Sequence, residues 1–222
     1  MSMEIDIKRK KVKNITLKVK SQGTVHLTVP LNTSDEFINK FLKSKEKWIK
    51  KKMEFFKDNY KNDIKKSYIE GENHKYLGEY YKLQVISSKK EFVSLDIENK
   101  VIKLYVKDKQ DLERKKELLH KFYIEKVKII LKELTDKYAN KLNETYASIK
   151  IRGMKTRWGS CNPVKKYINF NLQLIEKPIS SIEYVVLHEL AHLKHPNHSK
   201  EFWNYVSFYM PDWKLRKQKL NN

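Results

Sequence analysis

Cysteine is almost missing from this chain: Cys161 is the only one in 222 residues. An intrachain disulfide is therefore excluded, and with it the stapled scaffolds of small secreted domains. Long apolar runs are missing too. No stretch approaches the roughly 20 residues that span a bilayer, and the opening MSMEIDIKRKK has no apolar core of a signal peptide. The chain reads as soluble and cytoplasmic, with no membrane partner.

Arginine is also rare, at Arg9, Arg114, Arg152, Arg157 and Arg216 only, so nearly all the positive charge is lysine. Lys and Arg together number 48 against 27 acidic residues, a formal charge of +21. Such a charge concentrates anionic partners around the chain. The lysines are scattered through every segment, however, and a general lysine bias explains them as well as a nucleic-acid footprint does. No C₂H₂ finger, RNP sequence or basic heptad helix is present, nor a G-x-x-x-x-G-K-[ST] phosphate loop. The expected nucleic-acid contact is non-specific neutralisation of phosphates, about 10⁻⁵ M at physiological salt.

The length suits one large domain or two small parts. Ile15, Leu17 and Val19 alternate, and across Ser21-Gln22-Gly23-Thr24 they are answered by Val25, Leu27 and Val29, which predicts a β-hairpin with one buried face. Ser34 and Asp35 then introduce a helix in which Phe37, Ile38, Phe41, Trp48, Ile49, Met53 and Phe56 recur at helical spacing. A loop from about Asn59 to Asn73 leads to strands at 80–86, 92–97 and 101–106. The first 107 residues thus read as a largely antiparallel, β-rich part carrying one amphipathic helix.

A second part, 108–222, opens with an apolar stripe from Leu112 to Leu142 at a period near 3.6, which predicts a long connecting helix over about 110–143. Two short strands follow, 148–152 and 167–174, separated by the segment from Met154 to Cys161. Ser180-Ser181-Ile182-Glu183 has the form of a capping box and announces another helix. The whole is an α+β chain without internal repeats.

That last helix carries HELAHLKHPNH, four of the seven histidines within eleven residues. His188 and His192 are one turn apart, about 6 Å in rise, so both imidazoles reach one ion. Glu189 stands beside the first of them, where it reaches a water on the metal; this is the H-E-x-x-H arrangement of two ligands and a general base. Chance would produce such a match about 0.02 times in a chain of this composition. His195 would lie about 10.5 Å along the axis from His188 if the helix ran on, too far to share the ion. Pro196 disfavours helix at His195 and turns the chain, freeing His198 to fold back. The predicted ligands are His188, His192 and His198, with a fourth position open for water, as in catalytic zinc sites.

The chain resembles the YgjP-like metallopeptidases, relatives of the SprT-like proteases within the zincins. The resemblance rests on Arg157-Trp158-Gly159-Ser160-Cys161, on Ile168-Asn169-Phe170-Asn171-Leu172, and on the run from Tyr184 through His188-Glu189-Leu190-Ala191-His192 and Asn197-His198-Ser199 to Phe202-Trp203. It implies a zincin-like C-terminal part with the active-site helix packed on a small sheet, a Zn²⁺ cofactor on the same three histidines, Glu189 as catalytic base, and a peptide or protein substrate. The metzincin signature requires glycine where His195 stands, so that group is not matched. Arg157 is a candidate electrophile for a developing oxyanion; an ion pair with a nearby carboxylate explains it equally. Cys161, Trp158, Phe202 and Trp203 read as packing, and Tyr205 and Tyr209 follow the site without evidence of a role. Two alternatives keep the metal: hydrolysis of a nucleoside triphosphate, suggested by the charge, and a nucleic-acid-associated protease of SprT-like kind.

Overall fold

The computed structural model describes residues 5–19, 24–61 and 66–220, the side chains of 55–61 excepted. Two compact units divide the chain at Lys66. The sequence pattern puts a boundary at 107, but the strands from 73 to 106 form one hydrophobic core with the long helix that follows them.

The first unit contains a three-stranded sheet and a helix. β1 (Ile5–Lys10), β2 (Thr16–Val19) and β3 (Val25–Pro30) pair in the order β1-β3-β2, and α1 spans Asp35–Lys61. Val25, Leu27 and Val29 of β3 are fully buried, and Leu27 and Val29 pack with Ile38 of α1. The antiparallel β2–β3 pairing is the expected hairpin; residues 21–23 of its turn lie outside the described residues, as does the Phe56 side chain. β1 is a strand that the sequence pattern did not announce. Its Ile5 and Ile7 pair in parallel with Val25 and Leu27, but Lys8, Arg9 and Lys10 interrupt the alternation, as suits an edge strand.

The second unit opens with β4 (Asn73–Tyr76), β5 (Glu79–Ser87), β6 (Phe92–Asp96) and β7 (Val101–Val106), ordered β4-β5-β7-β6. The sheet is mixed, not wholly antiparallel, because β5 and β7 run parallel, with β6 antiparallel to β7 at the edge. β4 is too short to show in the pattern, having only His74 and Tyr76 turned inward. It reverses into β5 through Leu77 and Gly78, both at positive φ (50° and 88°), the conformation that tight hairpins demand.

α2 (Leu112–Leu142) begins where the Asp111 carboxylate accepts from the Arg114 N–H at 2.9 Å, and it ends at Asn143 in the left-handed region. Leu119, Phe122, Val127, Leu131, Tyr138 and Leu142 form its buried stripe. Beyond it, β8 (Ser148–Arg152), β9 (Gly159–Asn162) and β10 (Tyr167–Asn171) make a sheet of order β8-β10-β9. The strand expected over 167–174 stops at Asn171, whose side chain accepts from the Gln173 N–H and starts a 3₁₀ turn, Leu172–Glu176, that buries Leu174 and Ile175.

α3 (Ile179–Lys194) corrects the capping-box reading. Pro178 occupies the cap position without a side-chain bond, and Ser180 lies inside the helix. Ser181 instead donates to the Arg216 carbonyl at 3.1 Å, while Glu183 accepts from Arg216 at 2.5 Å and Lys137 at 3.0 Å. The motif is spent on tying α3 to α2 and to the terminal helix α5 (Trp213–Leu220); α4 (Lys200–Tyr209) lies between α3 and α5 in sequence. No helix among the described residues is long and apolar enough to cross a membrane.

Candidate metal centre

α3 is apolar on nearly every side, with Ile182, Val186, Leu187, Leu190 and Ala191 all fully buried. Polar groups on such a helix must meet partners or a ligand. His188 and His192 lie on one side of it, their ring centroids 4.9 Å apart and nearly perpendicular. The helix stops at Lys194, and His195 is extended (φ −123°, ψ 91°) ahead of Pro196, as the steric demand of proline requires. The chain then folds back, bringing the His198 ring to 4.8 Å from His188 and 4.7 Å from His192. One nitrogen from each of the three lies within 4.8 Å of the others.

The tautomers follow from the neighbours. His192 Nδ1 is 3.1 Å from the His195 carbonyl, which can only accept, so the proton sits on Nδ1 and Nε2 keeps its lone pair. His195 therefore contributes an acceptor from its backbone, while its ring rests on Tyr205 at 5.1 Å, outside the cluster. His188 Nε2 and His198 Nε2 face each other at 2.9 Å. Burial, reinforced by the neighbouring imidazoles, brings the His188 pKa down to about 3, and burial lowers that of His192 as well. Both rings are thus held neutral, the state a metal ligand needs.

Phe202, fully buried on α4, touches all three imidazoles with ring centroids at 4.7 to 5.0 Å. Trp203 stacks on His198 at 5.5 Å and on Trp213 at 4.4 Å. These aromatics are packing, as the sequence suggests, and they are also the walls that fix the imidazoles.

Glu189 is only 6% exposed. It reaches β9 at the one residue able to admit it: a Cβ on Gly159 would fall 2.6 Å from the Glu189 Cγ and 2.7 Å from Oε1. Burial pushes the Glu189 carboxyl up to about 8, and the Arg157 charge opposes that rise. Arg157 is itself exposed, in a loop whose geometry is set by Asn171. That side chain, 2% exposed, donates to the carbonyls of Met154 (2.7 Å) and Arg157 (3.0 Å) and accepts from the Met154 N–H at 3.4 Å. The sequence reading assigns Asn171 no role; an amide between the apolar Phe170 and Leu172 was the available signal, since a buried amide must be satisfied.

Cys161 lies on β9, paired with Ile168, and burial pushes its thiol up to about 12. It is not part of the histidine group. Tyr205 donates to the Leu142 carbonyl at 3.3 Å and packs on Tyr209, so neither is brought into the cluster.

The Gly159 contact yields a sharp expectation. Gly159→Ala forces Glu189 off its position, because its carboxylate is wedged between β9 and its own helix. Hydrolysis should fall by at least tenfold while metal content, measured by elemental analysis, stays at the wild-type level; unchanged turnover would show that Glu189 need not sit there.

Three imidazoles converging at the end of a helix that also carries a buried carboxylate, on an α+β frame, define the class: a metal-dependent hydrolase. The chain belongs to the YgjP-like metallopeptidase family, whose domain model matches residues 13–222. It is also similar to two solved metallopeptidase zymogens. With that of Pyrococcus abyssi abylysin it shares 22% identity over 40% of this chain and 90% of that one, at a TM-score of 0.38. With that of Methanocaldococcus jannaschii jannalysin it shares 26% identity over 40% and 86%, at a TM-score of 0.37. A search of curated proteins returns no match.

Proposed function

We propose that the chain is a zinc peptidase in which His188, His192 and His198 hold the ion and Glu189 is the general base. The observation that carries this reading is the buried Glu189 carboxyl, one residue from His188 and wedged against β9 at Gly159. The donor set suits zinc, which takes imidazole nitrogen readily and leaves a position open when only three protein ligands are present. When bound, the ion supplies Lewis acidity, making a water acidic near neutral pH and polarising a carbonyl.

The chain's own groups do the rest. The His195 carbonyl keeps the His192 proton on Nδ1. Glu189 takes a proton from the attacking water at a carboxylate oxygen and returns it to the leaving amine. Without added positive charge, burial would leave that carboxyl largely protonated at neutral pH; Arg157 and the cation both favour the ionised base. Arg157 also serves as a cation for the developing oxyanion. β9 forms an edge of its sheet, and an extended peptide added to that edge lies beside Glu189, with main-chain bonds supplying register.

Elemental analysis of purified protein, followed by a panel of peptides, nucleoside triphosphates and DNA-linked peptides, tests the reading. The expected result is one zinc per chain and cleavage of peptides, abolished by a chelator and restored by zinc. Turnover of triphosphates with peptides left intact would overturn it in favour of the phosphoanhydride alternative.

A further inference from the structure

The second unit contains a cavity of about 500 Å³ that the histidine site does not use, formed by the segment before β4, by β5 and by the start of α2. Its volume lies in the range of small-molecule sites, roughly 300 to 1,000 Å³. Lys115, in the first turn of α2, lines it and is 5% exposed. Among the described residues no carboxylate pairs with the Lys115 ammonium and no hydrogen bond of that ammonium is found. Its stem is packed away, while its ammonium, which is not among the fully buried polar atoms, is left to the cavity as a cation that no protein group neutralises. Most other lysines of this chain lie at the surface, so the general lysine bias does not explain this one.

The rest of the lining says what would satisfy it. Lys109, exposed at the rim, adds a second cation, and Gln84 adds an amide. Ile69 and Ile86 supply apolar wall. One carboxylate, Glu70, also faces the cavity, but its Oε2 is committed to the Val85 N–H at 2.7 Å, leaving Oε1 as an acceptor for a donor on the ligand.

We propose that this cavity is a binding site for a small organic anion, with a carboxylate or phosphate head on Lys115 and an apolar body against Ile69 and Ile86. The ligand is not the substrate of the histidine site. From Lys115 to Leu142 α2 rises about 40 Å, and it is at Leu142 that Tyr205, the neighbour of His195, makes its bond.

The test uses full-length, zinc-loaded protein, with calorimetry and thermal melting in the presence of adenosine 5′-monophosphate, N-acetylphenylalanine and inorganic phosphate. At least one organic probe should bind saturably with Kd below about 1 mM, and more tightly than inorganic phosphate, which lacks the apolar body. Preference between the two organic probes identifies the head group. Lys115→Met, which keeps the stem and removes the charge, should weaken that binding at least tenfold, and Lys109→Met at the exposed rim several-fold. Without ligand, Lys115→Met should melt close to wild type, so that weakened binding reports the lost cation and not a lost fold. Failure of both organic probes to bind, or undiminished binding to folded Lys115→Met, would overturn the proposal.

Discussion

Glu189→Gln should lose hydrolysis by about 10² to 10⁴-fold, the usual contribution of a positioned general base, while keeping its zinc and its fold. The amide has the shape of the acid and fits beside Gly159, but it cannot accept a proton from water. A second readout separates this from a generic packing defect. In the metal-free protein, burial raises the Glu189 carboxyl from its ordinary 4.5 to about 8. Between those values the unfolded chain has released the proton and the folded chain still holds it, so this group makes stability fall as pH rises from about 4.5 to 8, after which the loss is complete. Glutamine has no such titration. Metal-free Glu189→Gln should therefore melt above wild type at pH 8, and the difference should vanish toward pH 4. A zinc-loaded variant that retains most of the wild-type turnover on a confirmed peptide would remove Glu189 from the role of base.

The sequence made the core of the site legible because every part of it is local. His188, Glu189 and His192 follow from helical spacing, and the return of His198 follows from the restriction that Pro196 places on His195. The long helix, the β2–β3 hairpin and the β5, β6 and β7 strands were visible for the same reason: apolar period and turn chemistry belong to short windows. What escaped depends on partners far away in sequence. β1 is recognisable only through its parallel register with β3, since half of it is charged. β9 has four half-buried residues of low strand propensity, and it exists because β10 pairs with it and α3 approaches it at Gly159. The capping box failed on the same ground. Ser181 and Glu183 find better partners in Arg216 and Lys137 than in their own helix terminus, and no local motif reports a competitor 33 residues further on. Asn171 is a third case: its amide organises the loop that bears Arg157 through bonds across 14 and 17 residues.

The difference between His195 and His198 leads to an expectation about metal itself. His198→Ala removes one of three converging nitrogens, the one that His188 Nε2 faces at 2.9 Å, and two imidazoles cannot close a zinc site unaided. Zinc content after dialysis against a weak chelator should fall from near one per chain toward zero. His195→Ala should leave it near one. The bond that fixes the His192 tautomer comes from the backbone carbonyl of residue 195, and alanine retains that carbonyl; the imidazole it loses rests on Tyr205, away from the cluster. Added zinc should accordingly raise the melting temperature of wild type and His195→Ala alike, because a ligand that binds only the folded state stabilises it in proportion to the logarithm of its saturation ratio. The His198→Ala protein should respond weakly at the same zinc concentration. Should His195→Ala lose the metal while His198→Ala keeps it, the ligand assignment fails, and the fold-back at Pro196 would have to serve some purpose other than closing the site.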